Sequence, residues 1–157
     1  MSSGVLKTVA NPVVHTSLIA RLNSLTPESK RRWGTLTPHE MLCHLGDASE
    51  MVLRLRPRPA PVPMRRRPVV RSLGLWTPLR WPHGWQTNPS HDPRVAGTRP
   101  SEFAADLRRA MLTLEKIAAA KADALEPVHG VFGMMSTVDW QRWAFKHTDH
   151  HLRQFGL

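Results

Sequence analysis

Ten of the fourteen prolines in this chain lie between residues 57 and 100, a stretch that also contains Trp76, Trp81 and Trp85. Proline fixes the backbone angle φ and has no N–H to donate, so this density predicts an irregular segment with a turn or two of regular structure at most. Irregular segments of this length inside compact domains are usually functional or disordered. The three tryptophans favour order, because they give the segment apolar surface to bury. The prolines therefore divide the chain into two halves that must supply its regular structure.

The half before the prolines predicts two helices, because apolar residues recur there at spacings of three and four. In the first helix these residues are Val14, Leu18, Ile19, Leu22 and Leu25. The second helix starts at a capping box, in which Thr37 caps the first turn, Pro38 occupies a position that needs no N–H, and Glu40 closes the box. Its apolar stripe ends before Pro57 and consists of Met41, Leu45, Ala48, Val52 and Leu55.

The half after the prolines predicts two more helices. The third has the most regular apolar repeat of the chain, which reaches Ala118 on a segment rich in good helix formers. Ser136 and Asp139 resemble a weaker cap for the fourth helix, which extends to about Phe155.

Four amphipathic helices in a chain of 157 residues predict the architecture. A chain of that length suits one domain, and nothing in its periodicity favours a sheet. We expect residues 1–157 to form a single all-α domain, a four-helix bundle in which the irregular crossover at 57–100 joins helices two and three.

The chain is strongly basic, and its excess charge is concentrated. The 22 Lys and Arg against 12 Asp and Glu give a formal charge of +10, yet no acidic residue lies between Glu50 and Asp92. Eight arginines fall in that interval: Arg54, Arg56, Arg58, Arg65, Arg66, Arg67, Arg71 and Arg80. Three interpretations stay open, namely a solvated face, recognition of an anionic small molecule, and contact with nucleic acid. The last is weakened because the chain has no recognised nucleic-acid-binding motif.

Cysteine content and hydropathy indicate the compartment. Cys43 is the only cysteine, so it cannot form an intramolecular disulfide, and nothing favours an oxidising compartment. The first residues lack the apolar stretch of a signal peptide, and no segment reaches the roughly 20 apolar residues of a membrane span. We expect a cytoplasmic protein that does not insert into membranes. A homodimer is compatible with the exposed helix faces, although no heptad seam requires one.

The histidines predict a metal site. His147 and His151 continue the apolar face of Trp140 and Trp143, and their spacing lets two imidazole nitrogens reach one ion at about 2.0–2.1 Å. His44 lies in the middle of the apolar stripe of helix two and points toward the same core. One inward histidine is usually satisfied by backbone or water, whereas three on two helices need a common partner. A shared metal ion supplies that partner, so these three histidines are the predicted ligands.

Three histidine ligands with a fourth position open to solvent are typical of a catalytic site. Imidazole alone suits zinc, nickel, copper or iron, and we expect a divalent ion, zinc or nickel first. Glu40 and Asp47 lie one turn on either side of His44 and are the candidate catalytic residues, as proton acceptors or as orienting partners. Their alternative roles are the helix cap for Glu40 and a solvated position for Asp47. His150, at the rim of the face, and His129, before helix four, are weaker candidates for the site.

Other residues near these positions are expected to take no part in the metal site. Cys43 is expected to pack as a small hydrophobe rather than to bind the metal. Asp149 points away from the face of the ligands and is expected in solvent. A surface position is expected for the remaining histidines, which are His15, His39, His83 and His91.

Two stretches, TPHEMLCHLGD on helix two and KHTDHHLRQFG on helix four, together resemble the DinB/YfiT-like superfamily of metal-binding four-helix bundles. The blocks RRWGTLTPHEMLCHL and FGMMSTVDWQRWAFKHTDHHLRQFG, about a quarter of the chain, resemble in particular one bacterial branch of it. The resemblance implies an up-down-down-up bundle with a long crossover between helices two and three. It also implies a divalent metal on a triad that falls at His44, His147 and His151, whereas His150 occupies no triad position.

Members of that superfamily resemble either metal-dependent hydrolases or transferases of low-molecular-weight thiols. The resemblance therefore implies an enzyme in which the metal activates water or a thiol toward a small-molecule substrate, and an anionic substrate would suit the arginines. The alternative is a non-catalytic, metal-stabilised binding module that contacts nucleic acid or another polyanion through the Arg-rich segment.

Overall fold

The structure, a computed structural model, describes residues 7–60 and 67–157, which are mostly helical. The α-helices of these residues are α1 (Pro12–Asn23), α2 (Pro38–Val52), α3 (Arg67–Trp76), α4 (Phe103–Ala119) and α5 (Thr137–Gln154). Short 3₁₀ turns lie at Pro89–His91 and Ala122–Ala124. An antiparallel hairpin is formed by β1 (Val128–His129) and β2 (Gly133–Met134). The four predicted helices correspond to α1, α2, α4 and α5.

Both predicted capping boxes are present. The Thr37 hydroxyl accepts a hydrogen bond from the Glu40 backbone N–H at 3.2 Å, and the Glu40 carboxylate accepts one from the Thr37 N–H at 2.8 Å. Ser136 and Asp139 form the same reciprocal pair at the start of α5, at 3.1 and 3.0 Å. Each box satisfies two backbone donors that a helix start leaves unpaired, and so fixes where the helix begins. These two helices carry all three predicted metal ligands.

Helix α2 runs through the middle of the helical packing. Twelve of its fifteen residues are buried, so it is covered on nearly all sides. It contacts α4 and α5, and α1 contacts the same two helices. The most deeply buried side chains of the shared core include Leu18, Leu22, Met41, Leu42, Val52, Leu114, Ile117, Trp140 and Leu152. Polar side chains on α2 must therefore find their partners inside this packing.

The proline-dense crossover contains more regular structure than the sequence predicts. Residues Arg67–Trp76 form a ten-residue helix, so the expectation of a turn or two within 57–100 is wrong there. The helix is possible because Pro68 stands in its first turn, where a missing N–H costs little, and the next proline is Pro78. Leu75 is fully buried in the core and anchors α3.

Helix α5 is 18 residues long and exceeds the other described helices in length. Charged residues are spread along it, among them Arg142, Lys146 and Asp149. Within residues 7–60 and 67–157, none of the helices is both long enough and apolar enough to cross a bilayer.

Candidate metal centre

His44 lies in the middle of α2 and is buried. Its Nδ1 atom is 2.9 Å from the backbone carbonyl oxygen of His91, at the end of the 3₁₀ turn in the crossover. A carbonyl oxygen only accepts, so Nδ1 must carry the proton and donate it. In a neutral imidazole the lone pair is then on Nε2, which lies 3.0 Å from Nε2 of His147.

His147 and His151 lie one turn apart on α5, and the structure brings both to His44. The ring centres of the three histidines are 4.7 to 5.0 Å apart. His151 donates from Nδ1 to the side-chain oxygen of Gln154 at 2.8 Å, so its Nε2 is also left as an acceptor. One possible ligand atom from each ring lies within 4.8 Å of the others. The buried three-histidine group is therefore the one that the sequence predicts, and it can hold a metal ion.

The distances fit a single ion. Two nitrogens each about 2.0–2.1 Å from a tetrahedral ion lie roughly 3.3 Å apart. The Nε2 atoms of His44 and His147 are 3.0 Å apart, close to that value. Among the residues that the structure describes, no other histidine, cysteine or carboxylate joins the group. Within the described residues, the group thus offers three nitrogen ligands to an ion.

Burial sets the charge of the three rings. Desolvation lowers the pKa of His44, while the His91 carbonyl and the charge of Asp47 act in the opposite direction. Desolvation, and next the neighbouring histidines, place the pKa values of His147 and His151 well below the usual value. The rings are therefore neutral at pH 7, which is the form of imidazole that binds a metal.

Two tryptophans flank the group. Trp143 stacks on His147 with ring centres 4.5 Å apart and an angle of 20° between the planes. The ring centre of Trp81, a residue of the crossover, lies 6.3 Å from that of His147 and 6.1 Å from that of His150. These rings limit how far His147 can rotate and shield this side of the group from solvent.

Gln154 can orient His151 because Gly34 makes room for it. A Cβ atom at position 34 would lie 2.6 Å from Nε2 of Gln154, and Gly34 has a φ of +84°. Glycine adopts such a φ readily and has no Cβ to clash. The Arg32 N–H also donates to the Gln154 carbonyl at 2.6 Å, so the segment before α2 is tied to the end of α5.

His91 is the site residue that the sequence does not reveal. A surface position is expected for it, but it is 6% exposed, and its carbonyl holds His44. Burial, followed by the charge of His44, lowers the pKa of His91 to about 4. The side chain of His91 carries no signal for this role, because the atom that acts belongs to the backbone.

The two weaker histidine candidates lie outside the three-histidine group. His150 is buried with its ring edge-on to Trp33 at 4.8 Å, and its ring centre is 5.4 Å from that of His151. His129 accepts hydrogen bonds at Nδ1 from the backbone N–H groups of Val131 and Phe132, so it shapes the hairpin turn. The pKa values of His129 and His150 are both lowered to about 4, mainly by burial.

The two candidate catalytic carboxylates, Glu40 and Asp47, form their hydrogen bonds with residues outside the three-histidine group. Glu40 closes the cap of α2. Asp47 is fully buried, which overturns the solvated alternative, and it accepts from Arg56 at 2.7 Å and from Arg109 at 2.6 Å. Asp47 acts on His44 through its charge rather than through a hydrogen bond. A catalytic role for either residue stays a prediction.

Cys43 is buried as expected, yet it belongs to a polar cluster. Burial, followed by the charge of Asp106 and a hydrogen bond to it, raises the pKa of the Cys43 thiol to about 12. Asp106 also pairs with His39 at 2.8 Å, so His39 is not a free surface residue. Cys43, His39 and Asp106 place ligand atoms within 4.8 Å of one another, separately from the three-histidine group.

Several arginines of the crossover are used inside the fold. Arg65 and Arg66 lie in 61–66, outside the described residues. Four others bind carboxylates or backbone carbonyls: Arg54, Arg56, Arg58 and Arg71. Two of these, Arg56 and Arg58, pair with carboxylates, so part of the positive charge that the sequence suggests is balanced within the protein. Asp149 likewise forms an ion pair, with Arg21 at 2.8 Å, instead of standing free in solvent.

No protein-family model, curated protein or solved structure matches this chain. The site itself must therefore carry the functional argument, since a fold alone does not give a function. The site consists of a buried group of three neutral histidines that can bind a metal ion.

Proposed function

We propose that this protein is a metal-dependent enzyme of the DinB-like four-helix-bundle class, with a divalent ion, zinc or nickel first, on His44, His147 and His151. The reaction is a hydrolysis or the transfer of a low-molecular-weight thiol to a small-molecule substrate. An ion with imidazole ligands lowers the pKa of water or of a thiol, so that either becomes a nucleophile near neutral pH.

The observation that carries the proposal is the direction of two ring protons. His44 and His151 each donate from Nδ1 away from the group, to the His91 carbonyl and to Gln154. This leaves the lone pair of each ring on Nε2, and Nε2 of His44 lies 3.0 Å from Nε2 of His147. Metal-binding histidines are typically held by such outer hydrogen bonds, which fix the tautomer and the ring orientation. Without an ion, Nε2 of His44 can share a hydrogen bond with Nε2 of His147, 3.0 Å away; a metal ion would replace that contact and bind both nitrogens.

The set of ligands favours an enzyme over a structural metal site. Structural zinc sites usually have four protein ligands, whereas three protein ligands leave a position for the reacting molecule. Trp143 and Trp81 supply an apolar wall beside His147, where electrostatic interactions are stronger than in water. The polyanion-binding alternative is less favoured, because Arg56 and Arg58 form ion pairs with Asp47 and Glu126.

Metal analysis of the untagged protein tests the proposal. About one divalent ion per chain is expected after purification. His44→Ala and His147→Ala should each lose most of the bound ion, because only two histidines then remain to hold it. Elemental analysis by mass spectrometry measures the content, and His83→Ala is the matched control, because His83 is exposed and stacks on Trp33.

A chain without stoichiometric metal, or one in which the His83 variant loses as much as the His44 variant, would contradict the metal site. The reaction is tested separately with the loaded protein, on ester and amide substrates and on pairs of small thiols and electrophiles. Turnover that disappears on chelation and in His147→Ala supports the enzyme. A loaded protein inactive on all of them would favour the binding module.

Gln154→Leu is expected to weaken metal binding by about 10–100-fold, because outer hydrogen-bond partners of ligating histidines contribute that much. The variant keeps the size of the side chain but removes the acceptor for His151. Competition with a chromophoric chelator measures the affinity. Gln141→Leu is the control, since Gln141 lies on the same helix and donates to the Ala118 carbonyl. Equal affinities of the two variants would show that Gln154 does not orient His151.

A further inference from the structure

A cleft of about 500 Å³ lies between α5 and the segment that follows α3. Its charged lining is unequal, with one carboxylate, Asp149, against five cations. The cationic side chains are Lys7, Arg80, Arg142, Lys146 and Arg153. The proposed metal chemistry uses none of them.

Two of these cations are buried without a negative partner. Arg142 and Lys146 are each 8% exposed. Their hydrogen bonds go to neutral backbone carbonyls, from Lys146 Nζ to Gly74 at 2.8 Å and from Arg142 Nε to Leu75 at 2.6 Å. Within the described part of the chain, no carboxylate pairs with either one. Among the residues that the structure describes, each cation thus hydrogen-bonds to backbone carbonyls alone, and Asp149 acts on Lys146 only through its charge.

The end of α3 offsets only part of this charge. The accepting carbonyls of Gly74 and Leu75 belong to its last turn, where the helix dipole supplies about half a negative charge. Buried charges are stable when they are paired, and desolvating an unpaired one is costly. An anion in the cleft would supply the missing partner.

Other cations at the cleft are free to contact a ligand directly. Lys7 and Arg80 are exposed, and in the described residues their side chains form no hydrogen bond or ion pair. Arg153 shares its charge with Asp149, from Nε to a carboxylate oxygen at 2.9 Å. The cleft therefore combines two cations fixed by backbone carbonyls with two exposed cations, Lys7 and Arg80, that can contact a ligand.

Aromatic rings form the rest of the recognition surface. Trp76, Trp81 and Phe145 line the cleft, and the Arg142 guanidinium lies 5.4 Å from the centre of the Phe145 ring. Flat apolar surfaces of this kind favour a ligand with a ring, because an inorganic ion would leave them wet.

We propose that this cleft binds an organic anion with a ring and at least two negative charges. Trp81 connects the cleft to the three-histidine group, since it lines the cleft and its ring centre lies 6.3 Å from that of His147. That the anion is the substrate rests on the proposed function, whereas its binding does not.

Calorimetric titration with naphthalene disulfonate tests the proposal on the full chain, with and without added zinc. One molecule is expected to bind per chain in both forms, at least about tenfold more tightly than inorganic sulfate. Arg80→Glu should weaken binding by about tenfold, because it replaces an attraction to the dianion by a repulsion. Arg108→Glu on α4 is the matched control, since Arg108 is exposed and lies outside the cleft.

Absence of saturable binding, or equal weakening by the two variants, would overturn the proposal in favour of general attraction to a basic protein. A single-stranded oligonucleotide that displaces naphthalene disulfonate at lower concentration, with the same dependence on Arg80, would overturn it in favour of nucleic acid. Binding that survives in metal-free protein supports the cleft even where no metal-dependent activity is found. The two proposals can thus fail separately.

Discussion

Replacing Asp47 by asparagine is expected to lower the free energy of unfolding by about 3 kcal/mol. Asp47 is fully buried and accepts hydrogen bonds from Arg56, Arg109 and Thr98. Burial alone would raise the pKa of Asp47, but the hydrogen bonds from Arg109 and Thr98 outweigh it and lower the pKa. Removing the charge leaves the half-buried guanidinium groups of Arg56 and Arg109 with one fewer partner. Arg109 keeps Glu50 at 2.7 Å, so the loss stays near the lower end for a buried pair.

Urea denaturation followed by circular dichroism measures this change. Asp123→Asn is the control, because Asp123 is exposed and such substitutions usually change stability by less than about 0.5 kcal/mol. A loss below about 1 kcal/mol for Asp47→Asn would mean that the buried ion pairs contribute no more than exposed ones.

Acid is expected to unfold the metal-free protein between pH 6.5 and 4. Burial lowers the pKa of six histidines: His44, His91, His129, His147, His150 and His151. In the unfolded chain these imidazoles take up protons near their usual pKa of about 6.5. In the folded chain His91, His129 and His150 stay neutral down to about pH 4. The unfolded state therefore binds more protons within this window, and stability rises with pH across it.

The size of the effect is comparable to the whole stability of a small domain. Each unit of pKa shift corresponds to about 1.4 kcal/mol. A histidine whose pKa is lowered from 6.5 to about 4 therefore reduces the free energy of unfolding by roughly 3 kcal/mol when the pH falls to about 4. A few such groups approach the 5–15 kcal/mol or so that stabilises a typical domain. A midpoint of acid unfolding well above pH 4 follows.

Circular dichroism against pH, in the presence of a chelator, tests the expectation. His150→Phe keeps an aromatic ring beside Trp33 and removes one titrating group, so its midpoint should move to lower pH. His83→Phe is the control and should leave the midpoint unchanged, since His83 is exposed. A metal-free wild type that remains folded below pH 4 would contradict the proton linkage.

The three-histidine group can be predicted from sequence because its signal is local. The spacing of His147 and His151 places them on one face of any helix, and the stripe around His44 gives its direction. The capping boxes at Thr37 and Ser136 are equally local, and both are present. Local patterns therefore give α1, α2, α4 and α5 and the three histidines that could hold an ion.

Contacts made across the fold could not be predicted in the same way. Asp47 finds Arg109 sixty-two positions away, and only the packing of α4 against α2 brings them together. The sequence around Asp47 would suit a solvated helix position equally well. His91 acts through its backbone carbonyl, a group that every residue possesses. Leu75 stabilises α3 only because it packs into a core formed by other parts of the chain.

The partners of Asp47 also determine how the crossover can vary. Arg56 follows α2 closely, Thr98 precedes α4, and the two touch each other at 2.9 Å on the same carboxylate. The intervening chain is thus a loop closed at its base, and the entropy of closing such a loop grows only logarithmically with its length. Each doubling of the length costs about 0.6 kcal/mol. Residues added to this loop would therefore cost little closure entropy, as long as the contacts at its base and the His91–His44 hydrogen bond are kept.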